Sequence, residues 1–93
     1  MRARVPVYIV AVIRTAIVVY PEGDTREIEH DLRVNQLVDL NGFPLPLPLP
    51  TARMIVYRVW KVSTRAERYT EEILYHLELV TRPELEGATF KGV

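Results

Sequence analysis

Apolar and polar residues alternate at period two along most of this chain, the spacing of strands and not of helices. From Val5 to Tyr20 it reads VPVYIVAVIRTAIVVY. β-branched side chains lose χ1 freedom in a helix but pack well on a pleated surface, so this segment is expected to be a strand. Both parities are apolar: Val5, Val7, Ile9, Ala11, Ile13, Ile17 and Val19 on one, Tyr8, Val10, Val12 and Val18 on the other. A strand apolar on both faces is covered on both faces. In a chain of 93 residues, the second cover is expected to come from another subunit.

Pro21-Glu22-Gly23-Asp24 is a turn, with proline fixing φ and glycine supplying a positive φ. Glu27 to Leu40 then alternates, with Ile28, Leu32, Val34, Val38 and Leu40 on one parity. It is expected to close a first hairpin. After Asn41-Gly42 comes FPLPLPLPT, residues 43–51. Prolines at 44, 46, 48 and 50 force an extended path and remove donors from one edge, while Leu45, Leu47 and Leu49 keep theirs. This segment, 41–51, reads as an extended linker or arm. A P-x-x-P ligand spacing is absent.

Ala52 to Thr64 is a further strand, with Met54, Val56, Trp60 and Val62 on one face and Arg53, Ile55, Tyr57, Val59 and Lys61 on the other. Residues 65–81 admit two readings. A capping box, Thr64 with Glu67, and a stop at Pro83 would suit a helix. Ile73, Tyr75, Leu77 and Leu79 alternate as a strand would, with residues 65–69 as the turn. Charge favours the strand. Residues 1–20 carry +3, 21–40 carry −4, 41–65 carry +4 and 66–93 carry −3, as expected if basic strands lie beside acidic ones.

The expectation is one mainly-β domain over 1–93, a small antiparallel barrel or sandwich built from two hairpins. The alternative is an α+β domain with a helix at about 65–81. Residues 84–93 read as a loosely ordered tail.

Composition narrows the function classes. Twelve basic and twelve acidic residues cancel and the pI is near 6.7, which excludes a polycation or an acidic tail. No cysteine is present, so disulfides, thiol catalysis and cysteine metal sites are excluded. Arginine outnumbers lysine, and Asn, Gln and Met are scarce, a profile that fits a thermophile. Arg2 and Arg4 before the uncharged run 5–13 loosely resemble a signal peptide, but Pro6, Arg14 and the missing Ala-x-Ala site argue against one. The stretch from Val5 to Tyr20 has 16 residues, short of the roughly 20 a spanning helix needs. A cytoplasmic protein with no membrane span is expected.

Catalytic chemistry finds little support. His30 and His76 are the two histidines, and with Glu78 they could hold a metal only if the hairpins met. The pair His30-Asp31 resembles the dyad of HD-type metal phosphohydrolases over that one dipeptide, without their helical context or distant ligands. Ser63 is the single serine and has no histidine near it in sequence. No P-loop, G-x-G-x-x-G or G-x-S-x-G occurs. Neither a catalytic residue, a metal nor a cofactor is expected; a metal-dependent hydrolase using His30 or His76 is the remaining enzymatic alternative.

Two surfaces remain. Arg53, Tyr57, Trp60, Lys61 and Arg65 interleave bases and aromatics as single-stranded nucleic-acid platforms do. Against this stand the neutral total charge and the ordinary use of both residue types on strands. The second surface is apolar: Val10 and Val12 in the first strand, and Leu45, Leu47 and Leu49 in the arm. A small domain cannot easily cover both, and exposed apolar patches mark interfaces. The leading expectation is a non-catalytic assembly or interaction subunit acting as a homo-oligomer, its partner itself or another protein; a small nucleic-acid-binding β-barrel is the alternative.

Overall fold

A computed structural model of the chain describes residues 13–89. Five strands make one mixed sheet, β1 Ile13–Val19, β2 Thr25–Ile28, β3 Leu37–Val38, β4 Tyr57–Glu67 and β5 Thr70–Leu79, followed by a helix, α1, Arg82–Gly87. The sheet curls into a half-barrel, with strand order β2-β1-β5-β4-β3. The protein is mainly β, as the alternation predicts.

Both hairpins form. β1 pairs antiparallel with β2, from Ala16 opposite Ile28 to Val19 opposite Thr25. β4 pairs antiparallel with β5 from Tyr57 opposite Leu79 to Glu67 opposite Thr70. Residues 65–81 therefore do not form the alternative helix. The turn is only Arg68-Tyr69, tighter than the expected 65–69, because Arg65 opposite Glu72 continues the ladder with a cross-strand ion pair.

The hairpins are joined by a parallel contact, β1 against β5, from Ile13 opposite Thr70 to Val19 opposite His76. The purely antiparallel sheet expected from the sequence is thus corrected to a mixed one. The long connection through β3 and the arm lets β5 return beside β1. β1 is consequently interior to the sheet.

The inner face carries the main core: Val18, Ile28, Leu32, Val38, Tyr57, Val59, Tyr75 and Leu77. Full burial of such a side chain contributes about 1.5–3 kcal/mol each. The expected strand from Glu27 to Leu40 breaks up. It stops at Ile28, and a turn holding Asn35 at a φ of 75° separates it from the two-residue β3. Leu32 and Val38 are buried, while Val34 and Leu40 face solvent.

A second core joins Leu49, Val56, Val80 and Leu85. The Leu-Pro segment is tied down at both ends, Leu45 N–H donating to Leu37 O at 2.9 Å and Leu49 N–H to Ala88 O at 2.7 Å. The tail expected to be loose instead begins with α1. Thr81 N–H donates to Glu84 Oε1 at 3.4 Å and Thr81 Oγ1 donates to the same oxygen at 3.2 Å. Pro83 stands in the first turn, where its missing N–H costs nothing, so it helps start this helix and does not stop another. Leu85 then buries beneath the arm.

Candidate interaction surface

The outer face of the sheet follows from the register. Ser63 on β4 lies opposite Leu74 on β5, and Leu74 opposite Ile17 on β1. The next row is Lys61, His76 and Val19. Toward the hairpin tip come Arg65, Glu72 and Thr15. Ile17, Val19 and Leu74 thus form an apolar centre on this face, each only half-buried. Trp60 borders it, 52% exposed, with its ring 6.0 Å from that of His76. The double apolarity expected of the first strand holds within β1: Val18 faces the core while Ile17 and Val19 face outward.

A β-bulge between Val59 and Lys61 shifts the register. The expected two-face assignment of Ala52–Thr64 fails there, because period-two counting cannot pass an inserted residue. Tyr57 and Val59 are inner core residues before the bulge. Lys61, Ser63 and Arg65 share the outer face after it.

This splits the basic and aromatic set. Tyr57 is buried edge-on against Tyr20, centroids 5.2 Å apart, and burial pushes its phenol above the ordinary tyrosine value. It offers no ring face for a base. Arg65 donates to Glu72 at 2.8 Å. Arg58 bonds Glu78 at 2.8 Å and Glu84 at 2.7 Å, which raises its own basicity and holds Glu84 below the usual carboxylate range. Trp60 and Lys61 remain together, the ammonium 5.9 Å from the ring centroid. Arg53 is exposed on the segment before β4, beside Arg82 and Leu85 at a surface depression. The five residues do not make one platform.

In the arm, Leu49 is fully buried and Leu47 is 64% exposed. Leu45 is half-buried against the second core. Leu45 and Leu47 also line an open depression of about 520 Å³ with Arg33, Gln36, Leu37 and Pro44. Val10 and Val12 lie outside the described residues. The outer-face apolar residues that sequence reasoning did not single out are Ile17, Val19 and Leu74; knowing which parity of β1 and of β5 faces the core would have isolated them.

The two histidines serve separate places. His30 Nε2 lies 2.7 Å from Gly42 O, its ring stacked on Phe43. His76 Nε2 lies 2.9 Å from Ser63 Oγ. Hairpin register brings that second pair together from 13 residues apart, which linear spacing hid. The distance suits proton transfer from a hydroxyl, but among the described residues no carboxylate bonds the other ring nitrogen to orient it. The pair reads as a cross-strand bond. Among the described residues no three His, Asp or Glu side chains group as metal ligands, and no helix is long and apolar enough to cross a membrane.

The family described as "Uncharacterised Treponema protein" matches residues 7–87, and the chain belongs to it. No curated protein and no solved structure matches the chain.

Proposed function

We propose that this family member is a non-catalytic interaction subunit that works as a homo-oligomer. The observation that carries the reading is the apolar centre of the outer face, Ile17, Val19 and Leu74 beside Trp60. Interior strands of a half-open sheet rarely leave such a row to water, because covering it removes apolar area at about 25 cal/mol per Å². Leu47 adds a second exposed apolar point at the arm. Charge supports the same reading, since Arg14, Arg58 and Arg65 are each matched by glutamates and leave little net attraction for phosphate.

A light-scattering mass measured during size-exclusion chromatography tests it. A mass that rises with loading concentration is expected; a constant monomer mass at high micromolar concentration overturns the reading.

A further inference from the structure

Among the described residues the sheet has a long open edge. β4 pairs with β5 along its whole length, yet β3 covers only Tyr57 and Arg58, and Val59 closes the contact through Gln36 and Asn35. From Trp60 to Glu67, among the described residues, no strand lies on the other side. This stretch contains no proline or glycine. Past the bulge its register is unbroken from Lys61 to Glu67. Natural sheets shield such an edge with a bulge, a charge or a cover; here the bulge protects the end near β3, and beyond it the stretch carries Lys61, Arg65 and Glu67.

The charges on the hairpin point to what covers the rest. Arg58 pairs with Glu78, Arg65 with Glu72, and Glu71 with Arg14. Lys61 and Glu67, at the two ends of the open stretch, make no ion pair among the described residues. Two identical antiparallel strands related by a two-fold axis must place one residue opposite itself. With Ser63 at the axis, Lys61 would meet Arg65 of the second strand. With Arg65 there, two arginines would meet. With Thr64 there, each Lys61 faces a Glu67, Val62 faces Ala66, and the whole open stretch from Lys61 to Glu67 is paired. Like charges directly opposite destabilise a strand pair and unlike charges stabilise it, so one register stands out.

We propose that the open edge of β4 pairs with β4 of a second copy, antiparallel, about a two-fold axis at Thr64. The joint makes one ten-stranded sheet from two half-barrels. It rests on the reading that the chain self-associates, and it adds an edge contact to the one proposed on the outer face.

The absence of cysteine makes the register directly measurable. Opposed Cα atoms across an antiparallel pair lie about 4.5–5.5 Å apart, within disulfide reach. Under mild oxidation Thr64→Cys is expected to give a covalent dimer. Val62→Cys is not, because its counterpart lies four residues along, roughly 13 Å away. Independently, Lys61→Glu and Glu67→Lys are each expected to weaken association about tenfold, and the double variant to restore it. A wild-type protein that is monomeric at every concentration removes the self-association reading and this joint with it. An oligomer whose Thr64→Cys form stays unlinked, and whose charge variants associate unchanged, overturns the joint alone. That second result would assign the edge to another segment.

Discussion

The guanidinium of Arg58 on β4 holds the carboxylate of Glu84 in the first turn of α1 at 2.7 Å while its Nε bonds Glu78 across the strand pair. One side chain thus fastens the helix to the sheet over the second core. Arg58→Ala is expected to lower the melting midpoint and to loosen the helix first, seen as faster amide exchange at Leu85 and Ala88.

The same contact sets an acid limb. Glu84 is held below the ordinary glutamate value, chiefly by the Arg58 hydrogen bonds. A depressed folded-state value contributes stability above the unfolded value, and that contribution is lost as pH falls through the folded one. Wild-type stability should therefore decline between those two values. Arg58→Ala should flatten the decline, and equal slopes in both proteins would contradict the pairing.

Two leucines of the arm should behave in opposite ways. Leu49 is fully buried, so Leu49→Ala should cost about 2–5 kcal/mol in chemical denaturation. Leu47 is exposed, so Leu47→Ala should change stability by less than about 0.5 kcal/mol. Equal losses would show that the arm is not seated as described.

Gly42 adopts a φ of 87°, and a Cβ there would meet Ile28 Cγ2 at 3.1 Å. Its carbonyl also bonds His30. Gly42→Ala should destabilise by about 1–3 kcal/mol through backbone strain and crowding. Denaturant midpoints of the two proteins measure it directly.

The outer face offers a separate test from the edge. Val19→Glu places a carboxylate in the apolar centre without touching the core side of β1. Its circular dichroism should match wild type while association weakens at least about tenfold. Unchanged association would move the contact off this face.

Much of this architecture is legible in the sequence, for reasons that particular residues make clear. The second hairpin could be read because alternation at Ile73, Tyr75 and Leu77 agrees with the opposed charges of Arg58, Arg65, Glu72 and Glu78. The parallel contact of β1 with β5 could not, because a side-chain period says which way a residue points and not which strand lies beside it. Arg14 illustrates this: it belongs to the first hairpin by sequence but pairs with Glu71 of the second. The bulge after Val59 defeated counting, and with it the placing of Tyr57 on a binding face. α1 is six residues long, too short for a helical period, and Pro83, which stands in its first turn, reads from the sequence as the stop of an earlier helix. The exposed leucine of the arm and the buried one have the same local sequence, and only the tertiary contacts of Leu49 with Ala88 and Leu85 separate them.

Self-association is the claim on which the functional account stands, and sedimentation equilibrium of the wild-type protein tests it most directly. The account requires a mass above the 10.8 kDa of one chain at high micromolar concentration, with a dimer as the smallest assembled species. A single ideal species at 10.8 kDa across the whole concentration range would contradict it.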